Sequence, residues 1–172
     1  MRHRDSVSSG LSTDVSGPTL IECLSQAYPG LLSSSDKRPL HATVPDDVSQ
    51  ITRVIKLWGE EGVGLIVTTG GTGLSPRDVT PEATASLPGW RRAPGISALL
   101  FSAGLSKTPL AALSRGEAGV MVTPSTGRHT LVINLPGSPN AVRQGCAALA
   151  SILPHALALV CDASGPGGRK LA

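Results

Sequence analysis

Aromatic residues are nearly absent from this chain: one Phe, one Tyr and two Trp in 172 residues. A core must therefore rest on Leu, Val, Ile and Ala, and basic charge without interleaved aromatics gives nucleic-acid binding little support. Cysteine is scarce too. Cys23, Cys146 and Cys161 are an odd set without CxxC spacing, which argues against a disulfide framework or zinc site and fits a reducing compartment. Buried or incidental thiols are the expectation. No apolar run has the length of a membrane span, and residues 1–30 lack the apolar segment of a secretory signal. A soluble, cytoplasmic protein without a membrane partner is expected.

Common catalytic patterns are missing as well. His3, His41, His129 and His155 never pair at ligand spacing with another His or Cys. The many serines form no GxSxG elbow, and the glycines are followed by no Gly-Lys-Ser/Thr and fit no GxGxxG.

The length suits one domain able to bury a real core. Twenty Gly and 14 Pro imply many turns without suggesting collagen or wholesale disorder. The net charge of +3 is unevenly divided. Residues 1–90 hold seven Lys/Arg against ten Asp/Glu, and residues 91–172 hold eight against two. An anionic small molecule lying between the halves accounts for this at least as well as nucleic acid does.

Residues 1–16 read as polar loop. A helix is expected from Ser16 as a possible cap, with Pro18 in the first turn and Leu20, Ile21 and Leu24 on its apolar side. "LHATV" (40–44) is a short strand candidate. Val48, Ile51, Ile55 and Trp58 keep helical spacing, with Asp46 or Asp47 able to cap the start. "VGLIVTT" (63–69) reads as a parallel strand buried on both faces. A brief helix begins at Thr80-Pro81-Glu82 and stops at "LPGW"; another runs from about Pro94 to Leu105. "AGVMV" and "HTLVIN" are strands joined by a polar turn, then comes a Gly-Pro loop and helix, and residues 161–172 form a disordered tail. Residues 1–160 thus make one α/β domain, three-layered, with a mainly parallel sheet and helices on both faces. Ligands in such domains sit at the carboxyl ends of strands. The loops at 44–46, 70–78 and 134–138 fall there.

Gly70, Gly71 and Gly73 let backbone N–H groups approach an anion with no Cβ in the way. The same glycines serve equally in a plain turn. Asp78 follows five residues after Gly73, before a helix start, where a carboxylate can cap the backbone or hold a metal. Asp46 has the same two readings. Two carboxylates facing one Gly-rich loop suit Mg²⁺ and polyphosphate chemistry. Lys107 and Arg115 can meet phosphate or remain solvated surface charges.

Here the residues resemble a known pattern. "TTGGTGLSPRDVTPEA" (68–83) resembles the signature of the molybdopterin adenylyltransferase family, which includes the gephyrin G domain and its bacterial relatives. "DSVSSGLSTDVSGP" (5–18), "VPDD" (44–47), "APG" (93–95), "KTPLAALSRGEAG" (107–119), "INLPGSP" (133–139) and "LPHAL" (153–157) follow in the family's order, so the resemblance covers roughly residues 5–160. It implies a trimeric protein of molybdenum cofactor synthesis that transfers AMP from ATP to the terminal phosphate of molybdopterin, with Mg²⁺ present. A molybdenum-insertion domain or protein is an implied partner. Asp46 and Asp78 fall on the family's functional acids and are the implied catalytic and Mg²⁺-placing residues. Asp5, Ser6, Thr69, Gly70, Gly71, Thr72, Gly73, Ser114, Pro136, Gly137 and Ser138 match its nucleotide- and substrate-holding segments.

The sequence departs from that pattern in three places. Family members begin with an apolar strand, whereas only "MRHR" precedes Asp5, so the first strand is expected to be missing. "SLPGWRRAPG" (86–95) breaks a helix and puts Arg92 where the family has an acid. "TPSTG" (123–127) lengthens a hairpin turn. Two other readings remain open: a non-catalytic fragment acting as an interaction module, and a relative in another pathway such as the competence-damage-inducible family. Pro76-Arg77-Asp78 favours the transferase over the latter.

Overall fold

The strand "HTLVINL" sets the layering. In the computed structural model, which describes residues 14–28 and 39–162, it forms the strand His129–Leu135, buried along nearly its whole length. Side chains alternate across a strand, so Leu131, Ile133 and Leu135 enter one apolar cluster and Val132 enters the other. In chain order the elements are α1 (Ser16–Ala27), α2 (Val48–Glu60), β1 (Leu65–Thr69), α3 (Thr80–Ala85), β2 (Arg91–Arg92), α4 (Pro94–Leu105), a 3₁₀ turn (Pro109–Leu113), β3 (Ala118–Val122), β4 (His129–Leu135), α5 (Pro139–Leu149) and α6 (Leu153–Asp162). The first cluster joins β4 to α1, α5 and α6 through Leu20, Val142, Leu149, Leu153 and Leu157, with Ile96 and Leu100 of α4 against it. On the other face Ile51 and Ile55 of α2 and Ala83 of α3 pack on Ile66, Met121 and Val132. Helices cover both faces, as the three-layer reading expects.

The sheet order is β1-β4-β3-β2. β1 pairs parallel with β4, Leu65 opposite Leu131 and Thr69 opposite Leu135. The other two ladders are antiparallel. Among the described strands the sheet is therefore mixed rather than mainly parallel. The physical reason is loop length: the turn between Val122 and His129 is a hairpin, and a parallel neighbour needs a crossover of roughly a dozen residues or more. Gly127 closes that turn at φ +66°, so the "TPSTG" departure is a hairpin turn. Residues 40–44 form no strand. No strand among the described residues pairs with them.

Caps also fall where the sequence left a choice. Asp47, not Asp46, caps α2, accepting from the Gln50 N–H at 2.9 Å. That bond and the shorter one from Ser49 hold the Asp47 carboxyl below its ordinary range, the Ser49 hydroxyl acting most strongly. At α1, Asp14 rather than Ser16 accepts from the first-turn N–H groups of Ser16 and Gly17, both at 3.0 Å. α6 runs through Asp162, two residues into the segment expected to be tail. Asp5, Ser6 and residues 163–172 lie outside the described residues, as do residues 1–4, on which the expectation of a missing first strand rests. No single helix among the described residues is long and apolar enough to cross a membrane.

"SLPGWRRAPG" becomes a turn feeding the sheet edge. Gly89 has φ +57°, Val122 donates to the Pro88 carbonyl at 3.1 Å, and Ala93 donates to Ala118 at 2.7 Å. Arg92 then forms a two-pronged pair across the ladder with Glu117, at 3.0 and 2.7 Å. Its reversed charge is met by a neighbour on the β3 side.

Close approach at that edge depends on Gly119, where an added Cβ would meet the Arg91 carbonyl and lie 2.7 Å from the Trp90 ring. Gly119→Ala is expected to cost about 1–3 kcal/mol, read as a lower denaturant midpoint. Gly95→Ala, whose Cβ meets nothing within 4 Å, leaves the midpoint nearly unchanged.

Candidate anion-binding site

Parallel pairing of β1 with β4 delivers two loops to the same sheet edge. Gly70, directly after β1, donates to the carbonyl of Leu135, the last residue of β4, at 3.0 Å. Gly70 and Gly71 have φ of +83° and +62°, a region costly for residues with a Cβ. Thr80 locks this turn from below, its N–H donating to Gly71 O and its hydroxyl to Gly70 O, each at 3.0 Å.

The same glycines give way to their neighbours. A Cβ on Gly71 would meet the Thr80 hydroxyl and lie 3.1 Å from Asp46 Oδ1. One on Gly73 would lie 2.9 Å from Asp78 Oδ2, and one on Gly137 would lie 3.0 Å from the Cα of Gly70. The three loops expected at the strand ends therefore meet, with Asp46 and Asp78 against the glycines. Both carboxylate oxygens of Asp46 are withdrawn from solvent. Asp78 is half-buried, and its Oδ2 accepts from the Ser75 N–H at 3.0 Å. Its cap is to its own loop, so α3 begins without a side-chain cap.

The remaining predicted residues divide. Thr72 is buried and its hydroxyl lies 3.4 Å from that of Ser114, which joins Ser114 to the loop. Thr69 ends β1 beside it. Gly137 is exposed, and its carbonyl accepts from the Ser16 hydroxyl at 2.7 Å. The Ser138 side chain is used as the cap of α5, accepting from Ala141 N–H at 3.2 Å. Pro136, half-buried, follows β4 directly.

Sequence reasoning missed the layer beneath the loop. Asn134, 2% exposed, donates to the Thr68 hydroxyl at 2.9 Å and the Thr84 hydroxyl at 3.0 Å, and accepts from Glu117 N–H at 3.0 Å. Thr84 donates to the Thr80 carbonyl at 2.9 Å. The available signal was a Thr at each of positions 80 and 84, one turn apart on the buried side of a short helix.

Arg115, which the sequence offers as a phosphate ligand or a solvated charge, is neither in this structure. Its guanidinium reaches back to the loop: Nε donates to Gly73 O at 2.8 Å, Nη2 to Asp78 O at 2.6 Å, and Nη1 to the Glu82 carboxylate. The Arg115 hydrogen bonds hold the Glu82 carboxyl below its ordinary range, against a smaller opposing effect of burial.

Neighbouring nucleophiles offer no rival chemistry. Burial pushes the Cys146 thiol up to about 12, so it carries no thiolate at neutral pH. His41 is engaged with Asp14 at 3.1 Å, and no cluster of three or more His, Cys, Asp or Glu occurs among the described residues. What the loops present is a Gly-rich turn flanked by two acids. That suits a polyphosphate with Mg²⁺, which is ordinarily held by one or two carboxylates together with substrate phosphates. The donor set fits the ion.

The arrangement is that of a molybdopterin-binding α/β domain. The chain belongs to the family of molybdenum cofactor biosynthesis described as the probable molybdopterin binding domain, whose profile matches residues 4–155. It is 36% identical over 159 residues to gephyrin of Dictyostelium discoideum, covering 91% of this chain and 21% of that protein. A molybdopterin adenylyltransferase of Helicobacter pylori is 34% identical over 157 residues, covering 91% of this chain and 82% of the relative. Among solved structures, the molybdopterin biosynthesis enzyme MoaB of Thermus thermophilus superposes with a TM-score of 0.75 at 40% identity, covering 96% of this chain and 94% of that one. The chain spans about a fifth of that gephyrin and 82% of the Helicobacter pylori relative.

Two outcomes follow for the loop. Gly71→Ala combines strained φ with a clash at Thr80 and is expected to destabilise by about 1–3 kcal/mol, seen as a lower melting temperature. The Glu82–Arg115 pair gives a pH dependence whose sign is fixed. Because the folded carboxyl titrates below its ordinary value of 4.5, its stabilisation is fully present above that pH and is lost as pH falls through the folded value. Glu82→Gln therefore flattens the acid limb of a melting-temperature profile and leaves the slope at neutral pH unchanged.

Proposed function

We propose that this domain transfers AMP from ATP to the terminal phosphate of molybdopterin, releasing pyrophosphate. One observation carries the reading: Asp46 and Asp78, far apart in sequence, both lie against the glycines of one loop. Similarity to a relative named molybdopterin adenylyltransferase supports it. In the reaction a terminal phosphate oxygen of molybdopterin attacks the α-phosphorus of ATP, and the bond from that phosphorus to the pyrophosphate oxygen breaks. Backbone N–H groups of residues 71–73 cradle the polyphosphate, the Gly70 N–H being taken by Leu135 O, and Asp46 and Asp78 would hold Mg²⁺. Held there, Mg²⁺ would supply neutralisation of the charge that develops on pyrophosphate. Pro136, Gly137 and Ser138 wall the nucleotide on the β4 side, with Ser114 and Thr72 opposite. Asp5 and Ser6, which lie outside the described residues, are assigned to substrate binding by the resemblance alone. Positioning and electrostatics supply the rate, as they do generally in phosphoryl-type transfer.

The assembly proposed is a homotrimer. Its support is α4, which has no buried residue in the single chain although its sequence is "PGISALLFSAGL". With Phe101 and Leu105 of α4 exposed, and Leu110 and Leu113 exposed in the 3₁₀ turn after it, this face has the character of a contact between copies. A molybdenum-insertion domain or protein is the proposed downstream partner.

With ATP, Mg²⁺ and molybdopterin supplied, the protein is expected to release pyrophosphate. Asp78→Asn is expected to lower kcat on the order of 100-fold or more, with secondary structure intact by circular dichroism. Full turnover by that variant removes Asp78 from the role. Sedimentation is expected to give three copies, and Leu110→Asp to shift the species toward monomer.

A further inference from the structure

The segment after the 3₁₀ turn holds the Gly-rich loop at both ends. Arg115 N–H donates to Thr72 O at 2.7 Å, and Nε to Gly73 O at 2.8 Å, where the loop leaves the glycines. Nη2 donates to Asp78 O at 2.6 Å, where the loop enters α3. Nη1 pairs with Glu82 in the first turn of that helix, and Nη2 lies 3.5 Å from its second oxygen. Every guanidinium nitrogen therefore donates to the protein rather than toward a ligand. The planar, rigid fork of Arg fits this spanning task, which a single ammonium cannot duplicate.

We infer that Arg115 is a positioning residue: it closes the 73–78 loop and so fixes the direction of the Asp78 carboxylate, without itself touching substrate. Three links make the chain. Arg115 holds the Asp78 carbonyl, Asp78 N–H donates to Ser75 O at 2.8 Å, and Ser75 N–H donates to Asp78 Oδ2 at 3.0 Å. The carboxylate's Oδ2 is thereby tied to its own loop, and Oδ1 keeps its place for a cation only while that loop is closed. Glu82 is the second anchor, since it neutralises the guanidinium and keeps it turned from the anion cradle. A phosphate-binding arginine would direct its guanidinium at an anion; Nε, Nη1 and Nη2 of Arg115 instead donate to Gly73 O, the Glu82 carboxylate and Asp78 O.

This inference rests on the adenylyl-transfer reading for its kinetic consequence, so its test has two arms. In steady-state assays of pyrophosphate release, Arg115→Ala is expected to lower kcat on the order of 10- to 100-fold, with the KM for ATP within about threefold of the parent. Arg115→Lys keeps the charge and is expected to recover little. In the second arm, amide hydrogen exchange across residues 70–78 of Arg115→Ala is expected to quicken by about tenfold or more, while β3 and β4 keep their protection. This arm needs no turnover, and a parent without transferase activity would count against the reaction alone. Unchanged exchange in the loop overturns the inference. So does a raised KM at unchanged kcat, which marks Arg115 as a direct phosphate ligand, and so does full recovery by Lys.

Discussion

The parallel register of β1 against β4 is the constraint on which the rest depends. Thr69 stands opposite Leu135, so both strands end together and the residues that follow, Gly70 and Pro136, leave the sheet side by side. A slip of one residue would reverse the side chains of β1 and break this meeting. The register is itself held by burial: Leu131, Ile133 and Leu135 belong to one apolar layer and Val132 to the other. Geometry at the site is thus inherited from packing in the core.

Polar groups at this edge have separate tasks. Asp47 caps α2, which leaves Asp46 to face the glycines. Thr80 fixes the turn and Asn134 braces it from beneath, both almost fully removed from water. Buried polar groups are costly unless satisfied, and Asn134 meets this demand by bonding to three different segments. Such a bracket restricts motion beneath the Gly-rich loop. Arg115 and Glu82 finish the task from the outside.

Much of this was legible in the residues. The period-3.6 spacing from Val48 to Trp58 and the Pro at the start of α3 and α4 have local causes, and those helices lie close to where the spacing puts them. The acids and glycines of the loop were visible as types that suit an anion and a cation. The two-residue strand β2 was not legible, since a ladder that short has no periodicity of its own and exists only because Gly119 admits the Arg91 backbone. Residues 40–44, a strand candidate by sequence, pair with no strand among the described residues, since a strand needs a neighbour as well as suitable residues.

By itself the sequence determined helices α1 to α5, the identity of the loop glycines and the membership of the family, because each rests on residues adjacent or one turn apart, or on motifs read in order; α6 was not among its expectations. Tertiary structure decided which aspartate caps and which faces the loop, which strands run antiparallel, and that Arg115 clasps carbonyls instead of waiting for phosphate. Those outcomes join positions tens of residues apart: Arg115 to Gly73 and Asp78, Asn134 to Thr68 and Thr84, Asp46 to Gly71. Hydrogen bonds and close contacts act over a few ångströms, and only the folded chain sets those separations.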